Sequence, residues 1–184
     1  MAEAILCTER LVLRREAPGD RAAWSAHMNT PAVMAHLGGP RSEAELDRSF
    51  AAMAEAADLP FLFVVRACDG ELLGKAGLSR IAEAPAPEEI KGEAQIGWSL
   101  REDAWGHGYA REAAEALLAH GFGALGLPRI WAQTSDSNAR STRLIERLGM
   151  TRHDALSYFD PDYPPADNPA VVWSLTAEAW AARG

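Results

Sequence analysis

The sequence predicts a mixed α/β fold of the α+β class, in which a central, mostly antiparallel sheet of about seven strands packs against helices. Extended runs rich in apolar residues recur along the chain, at 9–15, 61–67, 71–81, 93–100, 129–134, 151–159 and 170–175. Asp69-Gly70 joins two of these runs as a hairpin turn. From Ala110 onward, small and apolar side chains recur at three- and four-residue steps, which is typical of a helix packed closely on a sheet.

Local signals mark the ends of the remaining elements. Ser42 and Glu45 form a capping box at the start of one helix, and Gly126-Leu127-Pro128 ends another. The segment 82–92 is rich in Ala, Pro and Glu, and we expect an exposed loop there because the sheet resumes directly after it. Helices are predicted at 22–28, 31–37, 42–57, 110–125, 138–148 and 177–182.

The composition is that of one globular domain, 1–184. The chain has 184 residues, of which 48% are hydrophobic and 24% are charged, and its formal net charge is −8. It contains no basic run of the kind that binds nucleic acid and no apolar run of membrane-spanning length. Cys7 and Cys68 form neither a disulfide framework nor a metal-ligand cluster, and the amino terminus lacks a secretion signal. We therefore expect a cytoplasmic protein without a metal.

The segment from Trp105 to Arg111 is predicted to bind an anion. Its sequence, Trp-Gly-His-Gly-Tyr-Ala-Arg, closes an extended run and opens the long helix, and no acidic residue lies between Gly106 and Arg111. Free amides at a helix start point outward, the helix dipole adds partial positive charge, and glycine lets a phosphate approach the backbone. Because the net charge is −8, an anionic ligand has to be held by this local arrangement and not by the overall field.

Two common phosphate-binding motifs do not fit this segment. In a dinucleotide motif Arg111 would occupy the place of the third glycine, and Trp131 stands near the place of the acidic residue that holds a ribose. The segment also follows an antiparallel meander late in the chain, whereas the dinucleotide motif opens a first βαβ unit. A Walker-type loop is excluded because no Gly-Lys-Ser or Gly-Lys-Thr occurs. A nucleotide-binding oxidoreductase is therefore the weakest functional alternative.

The stretch 93–150 resembles the acyl-CoA-binding core of the GNAT superfamily of N-acetyltransferases. The matching pieces are the strand Gln-Ile-Gly-Trp-Ser-Leu at 95–100, the turn at 105–110, Asn-Ala-Arg-Ser at 138–141 and Leu-Gly-Met at 148–150. The segments 8–14 and 175–180 look like the ribosomal-protein N-acetyltransferase branch. The resemblance implies the GNAT fold, with helices on both faces of the sheet and a splayed pair of strands that holds CoA. It also implies a monomer or homodimer that transfers acetyl from acetyl-CoA to a primary amine.

The resemblance assigns residues to the acyl-CoA site as well. Leu100 and Arg101 are expected to hydrogen-bond the pantetheine arm as an added strand would. Asn138 is expected on the opposite side of the arm, with Ser141 near its phosphate end, although Asn138 could also cap its helix or do both. Trp105 stands where the family usually has Gln or Arg, which affects only a side-chain contact. The backbone expected to cradle the pyrophosphate comprises Gly106, His107, Gly108, Tyr109, Ala110 and Arg111.

The residues for acid–base chemistry do not follow the family pattern. Gln95 and Gln133, which we expect on the substrate side, stand in two places where relatives carry a catalytic glutamate. Ile145 stands where many relatives carry a general-acid tyrosine. The remaining catalytic candidates are Glu93, Ser135 and Tyr158. The first of these could equally be a solvated strand end, and the last a packed sheet residue.

The missing glutamates favour an acceptor amine of low pKa. An α-amine titrates near ~7.7–8 and a lysine side chain near ~10.4, so the α-amine needs less help to lose its proton. We therefore expect a protein α-amine or an activated small-molecule amine, with water carrying the proton. The proline-rich segment 160–169, with Tyr163 and the acids Asp160, Asp162 and Asp167, is expected to border a cationic acceptor. The same missing residues leave a second function open, a non-catalytic acyl-CoA-binding regulatory module.

Overall fold

The computed structural model describes residues 3–55, 58–59, 61–82 and 84–183. Its strands are β1 (Ala4–Cys7), β2 (Leu11–Arg14), β3 (Phe61–Arg66), β4 (Leu72–Arg80), β5 (Ala94–Leu100), β6 (Arg129–Thr134), β7 (Thr151–Arg152) and β8 (Val171–Thr176). They form an eight-stranded sheet in the order β1-β2-β3-β4-β5-β6-β8-β7. Neighbouring strands are antiparallel except for β5 and β6, which run parallel.

Helices cover both faces of the sheet. They are α1 (Asp20–His27), α2 (Pro31–Met34), α3 (Glu43–Glu55), α4 (Tyr109–Gly123), α5 (Ala139–Arg147) and α6 (Ala177–Ala181). Because side chains alternate along a strand, Phe63 of β3 packs with Trp24 of α1 and Phe50 of α3. Its neighbour Val64 belongs to the apolar cluster on the opposite face, together with Leu117 of α4. The expected mostly antiparallel sheet with helices on both faces is confirmed.

The sheet has one strand more than the sequence predicts. The additional strand, β1, has only four residues, too few to show an alternating pattern, and it pairs antiparallel with β2. The predicted strand 151–159 is reduced to β7, because the amides of Leu156 and Ser157 turn back to the carbonyls of His153 and Asp154. Tyr158, beyond that turn, makes only an isolated bridge.

Several predicted element ends are confirmed. The Ser42 amide donates to the Glu45 carboxylate over 2.8 Å, and the Glu45 amide donates to Ser42 Oγ over 3.4 Å, as a capping box requires. Gly70 has a φ of 75° in the hairpin between β3 and β4. The helix α3 is described as far as Glu55, and its predicted end at Ala57 lies outside the described residues.

The parallel strands β5 and β6 are held together at one end only. Their one described register pair joins Gln95, near the start of β5, to Trp131. Beyond this pair β5 continues to pair with β4 as far as Leu100, while β6 pairs along its whole length with β8. The expected splayed pair is therefore present, and it opens towards the carboxyl ends of both strands.

Candidate active site

The turn before α4 presents a row of backbone amides. Gly106 and Gly108 have φ angles of 80° and 82°, a left-handed conformation that glycine adopts most readily. Gly108 is the N-cap of α4, and its carbonyl accepts from the Glu112 amide over 3.1 Å. The amides of 106–111 have no protein acceptor among the described residues. With the positive end of a 15-residue helix behind them, they fit a pyrophosphate.

Arg10 fastens this turn to the amino-terminal segment. Its Nη1 donates to the His107 carbonyl over 3.0 Å, and its Nε donates to the Glu112 carboxylate over 2.7 Å. Thr8 Oγ1 donates to the same carboxylate over 2.5 Å. Burial acts to raise the pKa of Glu112, but the hydrogen bonds from Thr8 and Arg10 outweigh burial and lower that pKa. Nothing local in the sequence identifies Arg10, because 102 residues separate it from Glu112.

The backbone groups of β5 point alternately to its two neighbours. The Arg101 amide donates to the Leu73 carbonyl of β4 over 2.8 Å. At the other end of the same strand pair, the Glu93 carbonyl accepts from the Ile81 amide over 2.9 Å. In an antiparallel ladder, residues an even number of positions apart face the same side. The backbone groups of Trp98 and Leu100 therefore face the splay, where an extended ligand can bond as a strand would.

Arg101 does not fit the pantetheine contact that the sequence predicts for it. Its amide is bonded to the Leu73 carbonyl, and its own carbonyl accepts from the Ala104 amide over 3.0 Å. Its guanidinium pairs with Asp103 over 2.6 Å and with Glu71 over 2.7 Å. Both backbone groups and the side chain of Arg101 are thus engaged within the protein. The backbone of Trp98, which the sequence places with Leu100 in the stretch expected to supply an oxyanion donor, does face the splay.

Trp105 joins the two sides of the splay. Its Nε1 donates to the Leu100 carbonyl over 2.8 Å, and the Arg140 guanidinium lies 4.0 Å from its ring centroid. It therefore connects the end of β5 to the first turn of α5. The Leu100 carbonyl is occupied by this contact, which leaves the Leu100 amide as the group available to a ligand.

A cavity of about 580 Å³ lies at the splay. Most of the predicted catalytic and substrate-side residues line it, namely Gln95, Gln133, Ser135 and Tyr158. The predicted pantetheine-arm residues Asn138 and Ser141 also line it. Asp160, Asp162, Tyr163 and Asp167 line it as well, as expected for the segment 160–169. Glu93 is exposed and is not part of the lining, because it precedes the Gln95–Trp131 pair and so lies at the closed end of the strands. The structure therefore removes Glu93 from the catalytic candidates.

A chain of neutral hydrogen bonds crosses the splay inside this cavity. The Tyr158 hydroxyl donates to Gln133 Oε1, and Gln133 Nε2 donates to Gln95 Oε1 over 2.8 Å. Burial raises the pKa of Tyr158 to about 12, so the phenol keeps its proton at neutral pH. Ile145 is 1% exposed beside this chain and has no proton to offer. Tyr158 therefore brings a protonated hydroxyl to the cavity near β6.

A second polar cluster brings together residues that lie far apart in the sequence. Asp167 is 9% exposed, and its Oδ1 accepts from Ser137 Oγ over 2.5 Å and lies 2.8 Å from His36 Nδ1. Ser135 Oγ lies 2.6 Å from Ser137 Oγ and 3.4 Å from the same carboxylate oxygen. Burial acts to raise the pKa of Asp167, but the hydrogen bonds from Ser137 and His36 outweigh it and lower that pKa. The cluster thus holds an ionised carboxylate against one face of the cavity.

Asn138 has the capping role that the sequence allows. Its Oδ1 accepts from the Ser141 amide over 3.2 Å at the start of α5. Its Nδ2 has no hydrogen-bond partner in the part of the chain that the structure describes. Since Asn138 and Ser141 both line the cavity, that group remains available to a ligand.

A phosphate cradle at a helix start, placed beside a splayed parallel pair, defines an acyl-CoA-binding acyltransferase. The family model for the acetyltransferase (GNAT) domain matches residues 10–151. The chain belongs to the GNAT acetyltransferases, and it is an acyl-CoA-dependent N-acetyltransferase.

Relatives cover almost the whole chain. The structure of an acetyltransferase from Agrobacterium tumefaciens is 31% identical, covers 92% of each chain and has a TM-score of 0.73. The uncharacterized N-acetyltransferase p20 of Bacillus licheniformis is 28% identical over 161 residues, which are 84% of this chain and 86% of the relative.

Two structures from Vibrio cholerae share the fold at lower identity. One is a ribosomal-protein-serine acetyltransferase-like protein, 19% identical, with 92% of this chain and 95% of that chain covered and a TM-score of 0.69. The other is a spermidine N-acetyltransferase in complex with CoA and spermine, which is 18% identical, with 95% of this chain and 99% of that chain covered and a TM-score of 0.74.

Among the described residues, no helix is long and apolar enough to span a membrane.

Proposed function

We propose that this protein acetylates a primary amine of low pKa by direct attack of the amine on acetyl-CoA. One observation carries the proposal: the cavity lies at the splay beside β5, the strand that leads to the free amides of 106–111, and no glutamate lies among the described residues of the lining. An amine that titrates near ~7.7–8 loses its proton with little help, unlike a lysine side chain near ~10.4. The candidate acceptors are a protein α-amine and an activated small-molecule amine.

The donor side of the proposal uses backbone groups. The amides of 106–111 hold the pyrophosphate, and Arg10 adds a positive charge at the same turn. The Leu100 amide and Asn138 Nδ2 hold the pantetheine arm from its two sides, with Ser141 nearby. When bound, acetyl-CoA supplies the activated thioester. The amides of 106–111, the Leu100 amide and Asn138 Nδ2 have no internal acceptor among the described residues, which leaves them available to a ligand.

The acetyl group needs a donor for its carbonyl oxygen and a proton for the departing sulfur. We assign the first role to the Trp98 amide, which faces the splay, since a fixed backbone amide stabilises a developing oxyanion. We assign the second role to Tyr158, which keeps its proton because burial raises its pKa to about 12. In the reaction the amine nitrogen bonds to the carbonyl carbon, the carbon–sulfur bond breaks, and the sulfur takes a proton.

The proton of the acceptor ammonium needs a separate route. We assign it to His36, whose Nδ1 is held by Asp167 over 2.8 Å and whose Nε2 has no partner within the described ranges. A carboxylate on one ring nitrogen orients the imidazole and leaves the other as a proton acceptor. Ser135 and Ser137 complete the cluster and provide sites where a water can carry the proton. Asp160 and Asp162 on the same lining attract the ammonium before it is deprotonated.

The test is thiol release from acetyl-CoA in the presence of a panel of amines. We expect release that depends on the amine, with α-amines and other amines of low pKa as the best acceptors. Tight CoA binding with no release on any amine would instead favour the non-catalytic acyl-CoA-binding module, which the amides Gln95 and Gln133 and the inert Ile145 leave open. Cys7 and Cys68 are unbridged, as suits the cytoplasmic location that we also propose.

A further inference from the structure

Lys75 is a buried cation on the acceptor side of the cavity. It lies on β4 opposite Ser99 of β5, and it is only 9% exposed. Its Nζ lies 3.9 Å from the ring centroid of Trp24, 5.0 Å from that of Phe50 and 3.1 Å from Met53 Sδ. Lys75, Trp24 and Met53 all line the cavity. The ammonium group thus lies at the cavity and is surrounded by two aromatic rings and a thioether sulfur.

Within the described ranges, no carboxylate forms an ion pair with this charge, and Glu16 acts on it only from a distance. The other lysine of the sequence, Lys91, shows the usual arrangement, since it pairs with Glu88 at the surface. At Lys75 the ring faces and a sulfur atom stabilise the cation only in part. Burial lowers the pKa of Lys75 to about 8, which records the cost of holding the charge there. A residue with a purely structural role at this position would do better without a charge.

Arg41 adds a second positive charge to the same part of the cavity. It lines the cavity, and its guanidinium makes no ion pair with the described carboxylates. Its backbone is fixed on both sides by Asn29, which accepts from the Arg41 amide over 2.8 Å and donates to the Arg41 carbonyl over 2.8 Å. The charge of Arg41 also contributes to the lowered pKa of Lys75. Two cations that form no ion pair with the described carboxylates therefore face one space in a protein whose net charge is −8.

We propose that Lys75, supported by Arg41, binds a carboxylate of the acceptor, so that the acceptor is a small molecule with both an amine and a carboxylate. The inference rests on the proposed function, because it assumes that the acceptor occupies this cavity. The lining carries Asp160 and Asp162 for an ammonium and Lys75 for a carboxylate, which suits a zwitterion. A volume of about 580 Å³ matches a small molecule. A polyamine would place a second cation against Lys75 and is disfavoured.

The first test compares acceptors on the unmodified protein. Each amino acid is paired with the amine formed by removal of its carboxylate, for example phenylalanine with phenethylamine and tryptophan with tryptamine. We expect kcat/KM to be at least about tenfold higher for the member with the carboxylate, as one charge-assisted contact allows. Equal values, or a preference for the simple amine or for spermidine, would overturn the inference and leave the proposed function intact. Absence of thiol release with every amine would instead remove the proposed function itself.

The second test uses Lys75→Met, which keeps the length of the side chain and removes its charge. We expect KM for the amino acid to rise about tenfold or more, while kinetics on the matched amine and the Kd for CoA stay unchanged. Lys75→Arg should retain part of the preference for the amino acid over the matched amine. The matched control is Lys91→Met, which removes the other lysine, outside the cavity, and should change nothing. If Lys75→Met lowered kcat/KM equally for both members of a pair, Lys75 would have a structural role only.

Discussion

The side-chain amide of Gln133 donates to Gln95 Oε1 over 2.8 Å, and this bond links β6 to β5 where the two strands part. Gln133 Oε1 accepts in turn from the Tyr158 hydroxyl. A neutral chain therefore stands where the resemblance to the GNAT core leads us to expect a carboxylate base. Because this neutral chain cannot take a proton from the acceptor, the acceptor amine has to lose its proton readily or pass it to another group. An amine of low pKa meets this requirement best.

Gln133→Leu should damage both stability and turnover. The substitution leaves the Tyr158 hydroxyl and the Gln95 carbonyl without their partner, at a cost of about 1–3 kcal/mol in the free energy of unfolding. We also expect kcat to fall, because Tyr158 loses the acceptor that orients it. Urea unfolding and steady-state kinetics measure the two effects. Tyr158→Phe should lower the free energy of unfolding less in the Gln133→Leu variant than in the unmodified protein. If the two substitutions had fully additive effects on that free energy, the hydrogen bonds would not act as a coupled chain.

Gly108→Asp should abolish CoA binding. The new carboxylate would stand at the phosphate cradle, and the φ of 82° adds backbone strain. Gly108→Ala carries the strain without the charge and should weaken binding far less. Gly123→Asp, at the other end of α4, places the same side chain in open space and serves as the charge control. Isothermal titration with CoA gives the affinities, and undiminished affinity of Gly108→Asp would refute the site.

His36→Gln should reduce kcat by about 100-fold, within the range usual for loss of a positioned base, and should leave the KM for acetyl-CoA unchanged. The loss should be largest at low pH, where less of the acceptor amine is already deprotonated, and should shrink as the pH rises through the pKa of the acceptor. The exposed residue His27 supplies the matched control, His27→Gln. A pH-rate profile of the same shape for His36→Gln and the unmodified protein would exclude His36 as the base.

Lys75 should make the unliganded protein more stable as the pH rises from 8 to 10. The pKa of Lys75 is about 8 in the folded protein, against an ordinary value of 10.5. Between these values the unfolded chain binds the additional proton, so stability rises with pH, by about 2–3 kcal/mol over this interval. The raised pKa of Tyr158 acts in the opposite sense, but only above pH 10. Chemical unfolding at several pH values should show the gain in the parent protein, and an equal gain in Lys75→Met would show that another group is responsible.

The parts of the site that depend on contiguous residues could be predicted from the sequence. Two glycines at a helix start specify the cradle at 106–111, because positive φ and free amides are local properties. The splay and the placement of Gln95, Gln133 and Tyr158 at one cavity follow the resemblance of 93–150 to a known core. The amide that Asn138 caps is likewise three residues away.

The parts that depend on register or on distant segments could not be predicted. Whether Arg101 or Trp98 faces the splay is set by the pairing of β5 with β4, where the register is not visible in either strand alone. His36 and Asp167 meet across 131 residues of sequence. Lys75 lies in a strand that is buried from Leu72 to Leu78, so no alternation of polar and apolar residues shows which face its charge occupies.

The most direct test of the account compares lysine blocked at its ε-nitrogen with lysine blocked at its α-nitrogen, both with a free carboxylate. The two acceptors have similar size and charge. The free α-amine has the lower pKa, since an α-amine of a model peptide titrates near ~7.7–8 and a lysine side chain near ~10.4, and the two acceptors also differ in the distance from amine to carboxylate. Steady-state thiol release from acetyl-CoA at fixed pH gives kcat/KM for each. We expect the higher value for the free α-amine. An equal or higher value for the free ε-amine would contradict this expectation.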